Sequence, residues 1–352
     1  MIETAIPQSA SPETFLHRFY GRVHPRYQVS VDEYVRFREQ GFLVVRGLVS
    51  ADEVERLKAH TERLMDGSEV IPGVPPPPAD ATPTERAQHF LRIHMLHRVS
   101  EIHERYMLHP RILDVLEALI GPDVLALQTM LFIKGPGKPG QGYHQDSYYI
   151  PTRPDTLCGA WLAIDRADEE NGCLWMTPGS QHEPIYPPPS DEGHTPQRRP
   201  GEPGLKDLFG VRNVSHTDEH ENGLTAVAQK YAGREVKAEV DPGDVVFFGG
   251  HVLHRSHANH SADRFRRAFV GHYCNARSFL RWNHGLEGGN EVHILARGDT
   301  HLPYAQPKFG SACAALLPKG EREQIAPADM SMMGGPDGKM KPKLHPAKSD
   351  GY

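Results

Sequence analysis

Three residues define the chemistry open to this chain. His144 and Asp146 lie in Tyr143-His144-Gln145-Asp146, and His254 lies in Leu253-His254-Arg255-Ser256, 110 positions on (254 minus 144). Two imidazoles and one carboxylate form a mixed nitrogen and oxygen donor set of intermediate softness. Such a set covers one face of a metal's octahedron and leaves the other positions open, which suits an Fe(II) ion that must take up a co-substrate and then O2. A His and an Asp two apart share one side of a strand, so the first pair is expected on a strand. The second histidine must come from a distant strand folded back beside the first. Together these demands point to a barrel-like β core rather than a local motif.

The chain holds 22 histidines, so an H-x-D triplet alone could arise by chance. A second set of residues strengthens the signal. Ser256 follows His254 by two and shares its face, and Arg266 sits in the strand-like run Phe265-Arg266-Arg267-Ala268-Phe269-Val270-Gly271-His272-Tyr273. A guanidinium beside a hydroxyl can clasp a carboxylate, because its planar fork binds two oxygens at once. A metal triad plus a carboxylate clasp is what 2-oxoglutarate requires: the 2-oxo acid end chelates iron and the far carboxylate is held by a cation. Among the neighbouring histidines, His251 and His257 are each three residues from His254 and would face away on a strand, while His260 lies past the strand's end. His254 is therefore the preferred ligand.

An ordered series of motifs resembles the phytanoyl-CoA dioxygenase family of Fe(II)/2-oxoglutarate-dependent oxygenases. The series runs Thr129-Met130-Leu131, Tyr143-His144-Gln145-Asp146, Ala160-Trp161, Asn171-Gly172-Cys173-Leu174 and Pro178-Gly179-Ser180. It continues with Gly243-Asp244-Val245-Val246-Phe247-Phe248, then His254-x-Ser256-x-x-Asn259-x-Ser261 and Arg266, all within about residues 30–285. The resemblance implies a mainly β fold with flanking helices on a double-stranded β-helix (jelly-roll, cupin-like) core. It implies that His144, Asp146 and His254 hold the iron, that Arg266 and Ser256 take the distal carboxylate of 2-oxoglutarate, and that Met130 and Trp161 line the co-substrate pocket. Arg92 matches, more loosely, a basic co-substrate residue. For Trp161, packing in the core is the competing role.

Two departures stand out. Arg266 lies one residue further from the distal histidine than the family usually has its arginine, which makes Arg264 and Arg267 rivals; the extra residue falls in the turn at Asp263, where length is cheap. Arg255 stands where a glycine is common. Because a carboxylate ligand fills the position that halide takes in related halogenases, the resemblance implies hydroxylation rather than halogenation. The expected function is thus an Fe(II)- and 2-oxoglutarate-dependent dioxygenase that hydroxylates a small molecule and releases succinate and CO2. The rivals are a cupin-like isomerase, an iron oxygenase without 2-oxoglutarate, or a non-catalytic barrel. Ser256 and Arg266 speak against the first two, and an open triad speaks against a purely structural site.

The elements that must position these residues follow from local signals. Ser30-Val31-Asp32-Glu33 and Ser50-Ala51-Asp52-Glu53 are capping boxes; each opens a helix, the first ending at Gly41. In the second helix Val54, Leu57, Thr61, Leu64 and Met65 form one face. Residues 72–83, with four consecutive prolines, read as a linker or an active-site lid. A helix is expected over 111–120, and strands over 42–45, 125–133, 157–164 and 245–248; Asn171-Gly172 signals a hairpin. Gln145 should point away from the triad, and Tyr148 and Tyr149 are either substrate contacts or rim packing.

At 352 residues one domain is expected over 30–300, with an N-terminal arm over 1–29 and a C-terminal extension over 301–352. The stretch 183–235, rich in Pro, Gly, His and charge, reads as a lid insertion with some helix near 223–231; its Arg198, Arg199, Lys206 and Arg212 either meet an anionic substrate or are simply solvated. A net charge of −6 argues against general nucleic-acid binding, and no apolar run is long enough to cross a membrane. The four cysteines show no paired spacing and the N-terminal residues no secretory pattern, so a reducing cytoplasm is expected. The sequence sets neither the substrate nor the oligomeric state.

Overall fold

The computed structural model describes residues 25–186, 223–280, 293–298 and 344–346. The expected arm (but for its last residues), most of the insertion with its four basic residues, Cys313, and most of the C-terminal extension lie outside these residues.

Both capping boxes form. In helix α1 (Val31–Gln40) the Glu33 carboxylate accepts from the Ser30 N–H at 2.8 Å, and Gly41 ends the helix at φ 83°. Strand β1 (Phe42–Val45) follows, then α2 (Ala51–Asp66), which buries Val54, Leu57, Thr61, Leu64 and Met65 as expected. The prolines are followed by a third capping box, Thr82 with Glu85, which opens α3 (Pro83–Gln88) with Pro83 in the first turn, where its missing N–H is not needed. Strand β2 (Phe90–His94) comes next, then α4 (Glu101–Met107) and α5 (Pro110–Ile120).

The remaining elements are β3 (Val124–Lys134), β4 (Gln141–His144), a helical turn α6 (Asp146–Tyr149), β5 (Thr152–Arg153), β6 (Cys158–Ala163) and β7 (Leu174–Met176). After them come α7 (Gly223–Ala228), β8 (Val236–Ala238), β9 (Val245–Gly249), β10 (His254–Ser256), β11 (Arg266–Asn275), β12 (Phe279–Leu280), β13 (Ile294–Arg297) and β14 (Leu344–Pro346). Helix α7 and the 3-10 turn over Gln229–Tyr231 match the helix expected there.

Two antiparallel sheets enclose the core. The larger has the order β1-β9-β6-β11-β3-β2-β14, with β13 also on β3; the smaller has the order β4-β10-β7-β8. Side-chain alternation gives the larger sheet two apolar faces. Leu131, Phe247 and Phe269 pack outward against Leu57, Tyr106 and Leu116 of the helices, while Met130, Val246 and Val270 point inward to meet Leu174 and Met176 of the smaller sheet. The chain is therefore mainly β with helices on one side, a jelly-roll, cupin-like core.

Two expectations need correcting. Asn171-Gly172 does turn, with Gly172 at φ 82°, but it does not join a hairpin: β6 lies in the larger sheet and β7 in the smaller. The strand that carries His144 ends at that residue, and Asp146 begins α6. Gln145 between them remains extended, at φ −120° and ψ 125°, so the His and Asp side chains still share a side.

Candidate metal and co-substrate site

Strands β4 and β10 pair antiparallel with His144 directly opposite His254, and the two rings lie 4.0 Å apart between centroids. The register then slips, so that Ser256 faces Gln141: β4 uses three residues where β10 uses two, a bulge of the kind found beside active sites. Asp146 enters from the start of α6. Its Oδ1 lies 3.7 Å from the Nε2 of His144 and 3.7 Å from the Nε2 of His254. The three donor atoms lie within 4.8 Å of one another, and this is the one such cluster of His, Cys, Asp and Glu among the described residues.

Hydrogen bonds at the far ring nitrogens settle what each imidazole offers. The Nδ1 of His144 lies 2.9 Å from the Gly142 carbonyl, and that of His254 lies 3.0 Å from the Val252 carbonyl. A carbonyl only accepts, so each Nδ1 carries a hydrogen, which leaves each Nε2 as the nitrogen free to meet a metal. The Gln141 side-chain nitrogen stands 3.2 Å from the His144 Nε2. Burial and the neighbouring His254 lower the His144 imidazole to about 3, against the pull of Asp146. Burial would raise the Asp146 carboxyl, but His254 and His272 outweigh it and hold it well below the usual carboxylate range. A neutral His144 and an ionised Asp146 are in the protonation states a divalent cation needs.

The larger sheet supplies the opposite wall. Arg266 is 3% exposed, its guanidinium stands over the rings of Trp161 and Phe132 at 5.6 and 5.7 Å, and its Nε donates to the Gly172 carbonyl at 3.1 Å. Burial pushes its guanidinium down to about 10. The rival arginines are already matched with carboxylates. Arg264 pairs with Asp168 and Glu170, and Arg267 forms a two-pronged bond to Asp165 and reaches Glu62. Ser256 accepts a hydrogen bond from the Lys134 Nζ at 2.9 Å, and Lys134 stands opposite Arg266 in the register of β3 and β11. Met130 and Trp161 line the interior, the latter opposite Val246 and Val270. Arg92 and His94 lie opposite Phe132 and Met130 and so share the inward face; the charge on Arg92 is felt at His144.

The histidines on either side of His254 stay out of the triad. His251 bridges Asp155 and the Glu183 carbonyl, and His257 packs on Trp175. Gln145 faces away, binding the carbonyls of Pro184 and His251 and the N–H of Tyr186. Tyr149 lies 6.5 Å from the His144 ring, centroid to centroid. Arg255, the departure noted above, makes two hydrogen bonds to Glu235, which also accepts from the Tyr143 hydroxyl at 2.7 Å; the guanidinium lies 4.6 Å from the Tyr143 ring. Sequence reasoning missed Lys134, Gln128 and His272. Counting by twos gives the signal it overlooked: Gln128 and Lys134 share a strand face with Met130, as His272 does with Arg266.

Residues 37–268 match the phytanoyl-CoA dioxygenase (PhyH) family. The chain belongs to that family. Membership makes it an enzyme of the Fe(II)/2-oxoglutarate-dependent oxygenase class. It is 30% identical over 285 residues to the peroxisomal phytanoyl-CoA dioxygenase of Rattus norvegicus, spanning 76% of this chain and 74% of the relative. The fold is shared with the non-heme monooxygenase ThoJ, at TM-score 0.53 and 20% identity over 76% of this chain and 84% of ThoJ. It is also shared with SnoK, a non-heme alpha-ketoglutarate-dependent carbocyclase from nogalamycin biosynthesis, at TM-score 0.51 and 21% identity over 73% of this chain and 90% of SnoK.

Proposed function

We propose that this protein uses Fe(II), O2 and 2-oxoglutarate to hydroxylate a small molecule, releasing succinate and CO2. The observation that carries the proposal is the pairing of two features across one interior. On one side two imidazole nitrogens and a carboxylate oxygen converge; on the other a buried arginine has a hydroxyl and a lysine nearby and no carboxylate partner among the described residues. In this reading His144, the Asp146 Oδ1 and His254 hold the iron. Arg266 and Ser256 take the distal carboxylate of the co-substrate, with Met130, Trp161 and Arg92 around it. Bound iron supplies the activation of O2 coupled to loss of CO2 from the keto acid. The chain's residues orient the keto acid between metal and guanidinium and keep water out of an apolar interior. An isomerase, or an iron oxygenase without the keto acid, would not require the buried Arg266.

Three described cysteines, Cys158, Cys173 and Cys274, are free and buried, and burial pushes the Cys158 and Cys173 thiols up to about 12. Inert thiols suit a reducing compartment, and we place the protein in the cytoplasm on that ground. No described helix is long and apolar enough to cross a membrane. The test is a panel of small molecules, acyl-CoA thioesters included, assayed for coupled 2-oxoglutarate consumption with mass spectrometry of products. A product heavier by one oxygen atom, with matching succinate, is expected. Turnover of a substrate without any requirement for 2-oxoglutarate would overturn the proposal.

A further inference from the structure

We infer that Gln128 and His272 form a positioning relay that restricts Asp146 to a single ligating oxygen. The inference rests on the metal-site reading above and concerns residues outside the triad. The two oxygens of Asp146 have different surroundings. Oδ1 faces both triad imidazoles, whereas Oδ2 lies 3.0 Å from the Nε2 of His272. A carboxylate only accepts, so a neutral His272 must carry its hydrogen on Nε2. Its Nδ1 must then be an acceptor, and the side-chain nitrogen of Gln128 stands 3.0 Å away to donate to it. Gln128 and His272 are direct partners in the register of β3 and β11, the two longest of the described strands, and Asp146, His272 and Gln128 are all buried. The chain of donation therefore runs from Gln128 to His272 to Asp146.

This arrangement has a chemical consequence. A free carboxylate can swing and present both oxygens to a cation, filling a coordination position that a chelating keto acid and O2 would otherwise use. A donor fixed on Oδ2 withdraws that oxygen and leaves Oδ1 as the ligand. Hydrogen bonds to ligating side chains commonly tune metal affinity by about 10- to 100-fold. A side chain that only filled the space beside Val270 would have no such effect.

Co(II) titration of the metal-free full chain, followed by visible absorption, tests the relay without relying on turnover. Wild type should bind one Co(II), and Asp146→Ala should abolish its spectrum. His272→Leu should weaken binding by about 10- to 100-fold and alter the absorption bands. His272→Gln, which returns an amide N–H near the Nε2 position, should recover most of the affinity. Gln128→Met should weaken binding by a smaller factor. Wild-type affinity and spectrum in His272→Leu, or a His272→Gln protein no better than His272→Leu, would overturn the relay. Should His272→Leu fail to fold, unchanged affinity in Gln128→Met would overturn it. A wild type that binds no Co(II) would instead remove the metal site and the relay with it.

Discussion

The two sheets divide the labour unequally. The smaller one brings the imidazoles of His144 and His254 together on strands of four and three residues, with a bulge between them. The larger one, whose β3 and β11 run to eleven and ten residues, carries Arg266, Lys134, Gln128, His272, Met130 and Trp161. Short strands have little ladder of their own to fix a side chain. Their side chains are steadied by further contacts: carbonyls at each Nδ1, His272 behind Asp146, and the Tyr143–Glu235–Arg255 group on the outer face. The long, doubly covered sheet supplies a rigid wall for charges that must stay put. The imidazoles are thus aimed from their own sheet, and the carboxylate is held from the opposite one.

That division can be broken at graded cost. The largest effect belongs to the smaller sheet and its adjoining turn: His144→Ala or Asp146→Ala should abolish iron-dependent succinate formation, and retained turnover in both would remove the site. On the larger sheet, Arg266→Ala should leave iron binding intact and raise the KM for 2-oxoglutarate by about 100-fold, the size of a lost buried charge contact. Arg264→Ala and Arg267→Ala should change that KM far less, and the opposite ranking would move the clasp to another arginine.

Acid should act on both sides of the larger sheet. Burial holds His97 and His103 well below the usual histidine range and His144 at about 3. The unfolded chain takes up these protons first, near pH 6.5, so the stability involved is complete above that pH and is lost as pH falls toward the folded values. The depressed Asp146 carboxyl contributes stability that is lost only below the ordinary carboxylate range, so it does not offset this loss. The thermal midpoint of the metal-free protein should therefore drop between pH 7 and pH 5, and a flat profile would contradict neutral burial. The smallest effect is expected at the outer face. Arg255→Ala should cost about 1 kcal/mol in denaturant unfolding, since the pair is only partly buried.

Much of this was legible in the sequence because it is local. Capping boxes announce helices by themselves, and apolar runs placed β3, β6, β9 and β11 nearly to their ends. The separation of His144 from Asp146 survived the end of its strand because one extended residue is enough to preserve the side. Strand β2 escaped notice for a physical reason: its inward positions hold Arg92 and His94, so the face that usually reads as apolar reads as charged. Gly172 shows why a turn signal is ambiguous. It fixes a local reversal but does not say whether the strands on either side pair with each other. His272 and Gln128 become a pair only through the register of two strands that begin 142 positions apart (266 minus 124).

Gln145, next to His144, ties down Pro184 and Tyr186; Arg255, next to His254, ties down Glu235. The chain between Tyr186 and Glu235 thus leaves from one anchor and returns to another, each a single residue away from a triad histidine. Just before the second anchor, helix α7 buries Leu224, Val227 and Ala228 against Tyr143 and Leu253, the residues that precede the two triad histidines. A change anywhere in this border therefore reaches the imidazoles through one peptide bond, whatever sequence stands further out.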